Sequence, residues 1–302
     1  MTIRYSVIIP NLHSPRIGEV LQALCRQTGI EESYEVIVVG RDKFGQVREE
    51  GPVRFLRSER DLNPAEARNR GIAAARGELL FFLDADCIPR EDWMKWLLKA
   101  WREGRPVVGG SLTFDPRDNF WTLADNISHC YTLHVSGQRG PAVNFHISAA
   151  NLCLEKKVVE EVGNFDEKLV CGEDFDLAMR LRKKGYDLYF EPAAVVTHRP
   201  TRDSFRSILR HSASWAPYSV IARHQHADLL KTPAFLYRPN LLLILSPLVA
   251  AWVTARIFVV RPAILKYWYT SPVIFFSKWA WCLAFAKGLR GLATSGPSRA
   301  KP

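Results

Sequence analysis

Two aspartates follow an apolar segment in the first third of the chain and are placed to bind a cation. Asp84 and Asp86 come directly after Leu79–Leu83, five apolar residues that predict a buried strand. Carboxylates at the end of a buried strand are costly unless a cation neutralises them. Carboxylate oxygens that share an ion with phosphate are the ligands preferred by Mg²⁺ or Mn²⁺. The pair therefore predicts a divalent metal site, although this spacing by itself also occurs by chance.

A second acidic cluster opens a predicted helix later in the chain. Glu173, Asp174 and Asp176 follow Gly172, and all three would stabilise the helix N-terminus through its dipole. Asp176 is spaced to pair with Arg180 one turn away, which is a structural role. Glu173 and Asp174 come directly after the glycine, so one of them could face a cleft and accept a proton.

A single histidine ends a third apolar run. His198 follows Val195–Val196 and Thr197. A lone histidine in such a position is more often a surface or structural residue, but imidazole is also a common metal ligand. The residues alone leave both interpretations open.

Alternating strands and helices position these groups. Tyr5–Pro10 and Val36–Val39 are apolar without polar alternation, which predicts buried parallel strands. Between them, apolar residues recur at helical spacing from Ile17 to Leu24, and Ser14 followed by Pro15 predicts where that helix begins. Ligands of such sheets bind beyond the carboxyl ends of the strands, which is where the first pair of aspartates lies.

The alternation continues to about residue 190. Asn63 and Glu66 form a predicted capping box for a helix that ends before Gly77. The tryptophans of a following helix, which begins near Trp93, are expected in the core. Further predicted elements are a helix near Glu155–Val162, a helix near Glu173–Lys184 and a strand near Leu188–Phe190. This order predicts an open α/β sheet.

Charge is distributed unevenly along the chain. The 302 residues carry 41 lysines and arginines against 31 acidic residues, a formal net charge of +10, and the last acidic residue is Asp228. Ten of the basic residues follow Asp228, so residues 1–228 carry 31 basic and 31 acidic groups and are neutral overall. All of the excess positive charge therefore lies after residue 228. A hydrophobic content of 47% excludes a disordered chain.

Residues 229–302 combine this charge with long apolar stretches. Asn240–Val260 and Pro272–Leu289 each approach the roughly 20 residues that cross a bilayer, but prolines and cations interrupt them. Tryptophan and tyrosine beside lysine and arginine are typical of a lipid–water interface, and such cations suit an anionic cytoplasmic leaflet. We therefore expect a membrane-associated helical region that either spans the bilayer or lies in its plane. A helical subdomain packed on the body is the alternative.

The cysteines and the first residues indicate the compartment. Six cysteines are scattered without metal-ligand spacing. The N-terminal residues lead directly into a predicted strand and lack the features of a signal peptide. These observations predict reduced thiols and a location at the cytoplasmic face of the membrane.

Seven short motifs occur in order within residues 3–200. They are SVIIP (Ser6–Pro10), ARNRGI (Ala67–Ile72), FLDAD (Phe82–Asp86), SAANLCL (Ser148–Leu154), GNFDE (Gly163–Glu167), GEDFDLAMRL (Gly172–Leu181) and THRP (Thr197–Pro200). Their order and spacing resemble the family-2 glycosyltransferases, which are nucleotide-sugar-dependent enzymes of the GT-A fold. The resemblance implies an α/β domain over residues 1–228, with a Rossmann-like, mixed and mostly parallel sheet flanked by helices. A membrane-associated helical region would follow at 229–302.

The resemblance also implies roles for the residues already named. Asp84 would lie near the ribose or nucleotide, and Asp86 would bind the divalent metal, Mn²⁺ or Mg²⁺. His198 matches a position that supplies a further metal ligand in many members. Asp174 would be the general base that deprotonates the acceptor hydroxyl, with Glu173 orienting it.

The nucleotide part of the donor has its own matching positions. Arg68 matches a position near the diphosphate, and Pro10 and Asn11 match the loop that holds the base. In the family, the second strand usually ends in an Asp-Asp-Gly-Ser type sequence whose first acid recognises uracil or guanine. This chain has Val39–Lys43 there, in which only Asp42 could serve.

A second departure concerns the number of sugars transferred. The Gln-x-x-Arg-Trp sequence of processive polysaccharide synthases is absent, and Arg206–Trp215 occupies a comparable location without matching it. We therefore expect transfer of a single sugar. Arg210 or His211 either contacts a diphosphate or lipid phosphate, or lies on the exposed face of an amphipathic helix.

The implied function is hexosyl transfer from a UDP- or GDP-linked sugar to a lipid-linked or membrane-proximal glycan acceptor, metal dependent and inverting. The alternative is a membrane-anchored protein that binds a nucleotide sugar without turnover. A sugar-phosphate nucleotidylyltransferase is disfavoured because Asn11–Pro15 lacks the glycines that grip a triphosphate. A dinucleotide-dependent dehydrogenase is also disfavoured, because no glycine motif of that class follows a predicted strand in this chain. The neutral body and apolar tail favour lipid over nucleic acid as a partner.

Overall fold

The protein is described by a computed structural model that covers residues 3–115, 117–142 and 147–295. It forms two compact units. The sheet unit consists of Met1–Asp115 and Thr132–Pro200, and the helical unit consists of Pro116–Tyr131 and Thr201–Pro302. The predicted functional boundary at residue 228 falls within the helical unit.

The first strands of the sheet unit are parallel. β1 (Tyr5–Leu12) pairs along its whole length with β2 (Tyr34–Arg41), and α1 (Ile17–Cys25) connects them. The apolar side chains of α1 that repeat at helical spacing are buried, as predicted. The predicted N-cap was wrong: Arg16 precedes the helix, and the hydroxyl of Ser14 accepts from the amide of Arg16 in the turn before it and donates to the carbonyl of Ala85.

The next unit repeats this arrangement. β3 (Val53–Arg57) pairs with β2, and β4 (Leu79–Leu83) pairs with β1, with α2 (Pro64–Ala74) between them. The capping box is confirmed. The backbone amide of Glu66 donates to the side-chain oxygen of Asn63, and the backbone amide of Asn63 donates to the Glu66 carboxylate. α2 ends two residues earlier than the sequence predicted.

Close packing of α2 on β1 depends on Gly71. A Cβ atom at this position would lie 2.4 Å from Cγ2 of Ile8, which is far inside van der Waals contact. The absence of a side chain lets the helix lie directly on the strand.

After β4 the sheet becomes mixed. The remaining strands are β5 (Cys87–Pro89), β6 (Val107–Thr113), β7 (Gly140–Pro141), β8 (Asn151–Glu155) and β9 (Leu188–His198). The strand order is β3-β2-β1-β4-β8-β6-β9-β5, and β7 pairs with β9. β8 is antiparallel to both β4 and β6, whereas β6 and β9 are parallel. The predicted mixed α/β sheet is confirmed, and its longest ladders are the parallel ones.

Helices cover the sheet within the same unit. They are α3 (Trp93–Arg102), α5 (Lys156–Glu161) and α6 (Glu173–Lys183). Trp93 is fully buried, as predicted, and its indole Nε1 donates to Oδ1 of Asn151 at 2.7 Å. Trp96 and Trp101, which were also expected in the core, are only half-buried because they lie at its margin.

The helical unit contains α4 (Phe120–Cys130), α7 (Phe205–Gln225), α8 (Pro239–Val260) and α9 (Ser271–Ser295). The last three share an apolar core, in which the buried residues are Ala216, Val220, Leu242, Cys282, Phe285, Ala286 and Leu289. The packing of α7 into this core explains why the compact unit begins before residue 228.

Among the described helices, α8 is the one long and apolar enough to cross a membrane, with a mean hydropathy of 2.0. It matches the first of the two predicted apolar stretches. The second stretch lies in α9 and does not meet this criterion, because Lys278 and Lys287 lower its mean hydropathy.

Candidate functional site

The first pair of aspartates lies in the turn between β4 and β5. Both carboxylates are partly exposed, whereas β4 itself is fully buried. The amide of Cys87 donates to the carbonyl of Asp84 at 3.0 Å and closes the turn. The hydroxyl of Ser14, in the loop after β1, donates to the carbonyl of Ala85 at 2.7 Å. The turn is therefore held from two chain segments, which follow the carboxyl ends of the neighbouring strands β1 and β4.

The structure brings Asp86 and His198 together. Oδ2 of Asp86 lies 3.8 Å from Nε2 of His198 at the end of β9. Their proximity follows from strand pairing, because Cys87 is the register partner of His198 and the amide of Arg199 donates to the carbonyl of Asp86. A short antiparallel ladder, which begins at Cys87, thus brings together two residues that are more than a hundred positions apart in sequence.

Arg68 of α2 joins the two acidic motifs. Its Nη2 donates to Oδ1 of Asp84 at 2.7 Å, and its Nη1 donates to the carboxylate of Glu173. The guanidinium carbon lies 5.3 Å from the ring centroid of Phe165. Burial opposes the charge, but the two carboxylates outweigh burial and raise the pKa of Arg68 above its ordinary value. Arg68 therefore remains a cation and links the turn after β4 to the start of α6.

Asp174 is held in a fixed orientation by three donors. Its Oδ2 accepts from the hydroxyl of Ser148 at 3.1 Å and from the amide of Ala149 at 3.3 Å, and its Oδ1 accepts from the amide of Phe175 at 2.7 Å. Burial raises the pKa of Asp174 above its ordinary value, against the opposing charge of Arg68. A buried carboxylate with a raised pKa is a stronger base than a solvated one.

The other two acids of α6 have different partners. Glu173 binds Arg68 rather than Asp174, and burial raises its pKa as well. Asp176 pairs with Arg180 at 2.7 Å, as its spacing predicted. Of the three acids, only Asp176 pairs with a cation of the same helix.

The residues predicted to hold the nucleobase lie at the end of β1, where Asn11 is, and in the loop after β2, where Asp42 is. The side-chain amide of Asn11 donates to the carbonyl of Arg41 at 2.9 Å, and its oxygen accepts from the amide of Ser14. Pro10 lies within β1. The carboxylate of Asp42 accepts from the amides at positions 44 and 47, at 3.0 and 2.7 Å. These polar groups shape the two loops, and their roles toward a base remain predictions.

A second cluster of metal-binding residue types occurs in the helical unit. Oδ1 of Asp125 lies 3.1 Å from Nδ1 of His211 and 3.3 Å from Nδ1 of His129. Nε2 of His211 accepts from the indole of Trp215, so neutral His211 carries its proton on Nδ1 and donates it to Asp125. That nitrogen has no lone pair for a metal, and Arg202 binds the other carboxylate oxygen. The cluster is therefore a hydrogen-bonded ion pair that fixes α4 beside α7.

The sheet-unit cluster is better suited to a cation. Asp86, Cys87 and His198 offer one oxygen, one sulfur and one nitrogen, and these atoms lie within 4.8 Å of one another. Mixed donors of this kind fit a divalent transition metal. Among the described residues, this is the group that combines metal-ligand chemistry with the partly exposed edge of the sheet.

The family of the chain follows from its sequence. The family described as "Glycosyl transferase family 2" matches residues 6–163, which include β1, α2 and the turn after β4. The chain belongs to glycosyltransferase family 2. The candidate base Asp174 and the histidine His198 of this glycosyltransferase lie beyond the matched residues.

Two similar proteins are named as glycosyltransferases. A pre-mycofactocin glycosyltransferase of Mycobacterium tuberculosis is 32% identical over 180 residues, covering 56% of this chain and 37% of the relative. The glycosyltransferase AglE of Haloferax volcanii is 29% identical over 206 residues, covering 64% of this chain and 66% of the relative. The chain therefore spans less than two thirds of the length of either relative.

Solved structures support the GT-A fold. A mannosyltransferase from Pyrobaculum calidifontis, solved with GDP-Man and Mn²⁺, has a TM-score of 0.56 and 17% identity, over 97% of this chain and 75% of that one. S. aureus TarS residues 1–349, solved with UDP-GlcNAc, has a TM-score of 0.53 and 14% identity, over 97% of this chain and 92% of that one. At these identities the likeness concerns the fold alone.

The sequence did not single out several residues that complete the site. Ser148 and Ala149, which hold Asp174, lie in a small-residue motif whose role was left open. Phe165 lies under Arg68, in the GNFDE motif. Cys87 follows Asp86 directly, but a lone buried cysteine normally behaves as a small apolar residue. Only the pairing of β5 with β9 places it beside a histidine.

Proposed function

We propose that the chain transfers a single hexosyl group from a UDP- or GDP-linked sugar to a lipid-linked or membrane-proximal glycan acceptor. The reaction would be metal dependent, with Mn²⁺ or Mg²⁺, and would invert the anomeric carbon. The observation that carries this proposal is the ion bridge of Arg68, which joins Asp84 of the first acidic motif to Glu173 of the second. The bridge holds together the two acidic motifs that the proposed reaction would use.

Asp86 and His198 are the residues that would hold the cation. A divalent ion there would offset the negative charge that accumulates on the departing nucleoside diphosphate. Arg68 would keep Asp84 oriented toward the nucleotide, and the rigid turn after β4 would keep Asp86 in place.

Asp174 would act as the general base. Its carboxylate would take the proton of the acceptor hydroxyl while that oxygen attacks the anomeric carbon and the bond to the diphosphate oxygen breaks. Attack from the face opposite the leaving group inverts the configuration. The pKa that burial raises supports this role because it increases basicity, and the three donors, which oppose that rise, hold the carboxylate in one orientation.

The helical unit supports membrane association. α8 exposes Ile244, Leu248 and Trp252 at intervals of four residues, which places them on one face. Arg256 lies over the ring of Trp252, with 5.3 Å between the guanidinium carbon and the ring centroid. An apolar face with aromatic and cationic neighbours suits an anionic lipid surface.

The test uses the full chain in detergent with a lipid extract as the source of acceptor. A panel of nucleotide sugars is supplied with Mn²⁺, and the released nucleoside diphosphate is measured. Asp86→Ala is expected to lower the rate with the preferred donor by at least about a hundredfold, because charge stabilisation of the leaving group is lost. Glu50→Ala, which removes an exposed carboxylate of the same unit, is the matched control and should keep the wild-type rate.

Two results would contradict the proposal. Equal rates for Asp86→Ala and wild type would remove the metal role of this carboxylate. Nucleotide-sugar binding by the wild-type chain without turnover of any donor would instead indicate the non-catalytic binding protein.

A further inference from the structure

The cation site contains a sulfur atom that the proposed reaction does not use. Cys87 is the first residue of β5, directly after Asp86, and is fully buried. Its register partner across the antiparallel pair with β9 is His198. Directly opposite residues of an antiparallel pair point to the same face of the sheet, with Cβ atoms about 5 Å apart. Sheet geometry therefore places the thiol and the imidazole side by side.

The carboxylate of Asp86 completes a three-donor set. It lies 3.8 Å from Nε2 of His198, and all three donor atoms, including Sγ of Cys87, lie within 4.8 Å of one another. Ligands bound to one tetrahedral ion at about 2.0–2.3 Å stand about 3.5 Å apart. A small inward movement of the side chains would therefore bring all three atoms to bonding distance of one ion.

We propose that Cys87 is a third ligand of the cation site, and that the site takes thiophilic transition ions in preference to Mg²⁺. Binding exchanges the thiol proton, which leaves to solvent, for a bond from the sulfur lone pair to the ion. Mg²⁺ prefers oxygen ligands only, whereas imidazole and thiolate together favour Co²⁺, Zn²⁺ or Cd²⁺. This inference rests on the proposed metal site of Asp86 and His198 but adds a ligand and an order of metal preference to it.

The test is a titration of the reduced full chain with Co²⁺ alone, followed by absorption spectroscopy. Wild type is expected to develop a sulfur-to-cobalt charge-transfer band in the near ultraviolet. Cys87→Ser should lose that band and bind Co²⁺ at least about tenfold more weakly, since even partners outside the coordination shell change metal affinity by about 10–100-fold. Cys25→Ser removes an exposed thiol of the same unit and is the matched control.

The outcomes separate this inference from the proposed function. The lack of a charge-transfer band in wild type, whether or not Co²⁺ binds, overturns the role of Cys87. If Mn²⁺-dependent turnover then persists, the metal role of Asp86 and His198 stands without the thiol. Mg²⁺ displacing Co²⁺ from wild type at equal concentration would likewise overturn the metal preference. Circular dichroism of Cys87→Ser checks its fold, and the wild-type spectrum tests the inference even if that variant unfolds.

Discussion

At the scale of single residues, the buried guanidinium of Arg68 joins the two acidic motifs. Arg68 is 3% exposed and has carboxylates on two sides, so its charge is balanced inside the sheet unit. Breaking such a pair leaves an uncompensated buried charge and is costly, about 3–5 kcal/mol. This cost fixes the positions of Asp84 and Glu173, and with Glu173 it fixes the start of α6. Asp174 is the next residue of α6, so fixing the start of this helix also fixes the backbone position of Asp174.

The sequence identified the acids of this site but not how they connect. The types and spacing of Asp84, Asp86, Glu173 and Asp174 were enough to name them. The bridge through Arg68 could not be read from local patterns, because it depends on how α2 lies across the sheet. That position depends on close packing of α2 on β1, where Gly71 lies against Ile8, a residue far from it in sequence.

At the scale of elements, the helical unit contains an acid-sensitive contact between α4 and α7. Burial and the charge of Lys278 lower the pKa of His129 to about 4, against the opposing charge of Asp125. Burial would raise the pKa of Asp125, but the contacts with His129 and His211 and the charge of Arg202 outweigh burial and hold that pKa well below the ordinary value. Both groups bind protons more weakly in the folded state than in the unfolded chain.

The helical unit is therefore expected to lose stability as pH falls. Unfolded His129 takes up a proton near pH 6.5, whereas the folded ring does so only near 4, so its contribution is present above 6.5 and is lost between these values. With the ring a quarter exposed, the loss is about 1–3 kcal/mol, and Asp125 adds to it at still lower pH.

Thermal unfolding of the full chain at pH 7.5 and pH 5 measures this effect. His129→Gln should reduce the drop in unfolding temperature between the two pH values. His224→Gln, an exposed histidine of α7, should leave the drop unchanged. An equal drop in wild type and both variants would show that the contact does not sense pH.

Elements were predicted where short-range sequence signals determine them, and they were missed where strand pairing determines them. The capping box of α2 and strand β4 were predicted because short-range signals determine them. β8 was not, since its three apolar residues form too short a pattern and it gains its order between β4 and β6. The extension of β9 to His198 likewise depends on its partners β5 and β6.

At the scale of the whole molecule, the excess positive charge and most of the exposed large apolar side chains lie after residue 228. The exposed face of α8 makes lipid the expected partner of the helical unit, because a large apolar surface is unfavourable in water. Each cation near an anionic bilayer adds about 1 kcal/mol of attraction. Binding should therefore increase with the content of anionic lipid.

Flotation with phosphatidylcholine vesicles, with and without phosphatidylglycerol, measures this partition. The double variant Ile244→Glu/Leu248→Glu should lower the vesicle-bound fraction at least about tenfold, since two carboxylates replace apolar contacts with acyl chains. Phe44→Glu, which alters an exposed apolar residue of the sheet unit, is the control and should bind as wild type does. Wild type that remains in the aqueous fraction in both vesicle types would contradict membrane association.

The central claim is that Asp174 takes the proton of the acceptor, and Asp174→Asn tests it most directly. The measurement is a comparison of donor binding with sugar transfer in the same preparation, beside Asp176→Asn, which removes only the ion pair with Arg180. We predict that Asp174→Asn binds the nucleotide sugar like wild type and loses transfer by at least about a hundredfold. Asp176→Asn should be less stable but still active. Transfer by Asp174→Asn at the wild-type rate would contradict the account.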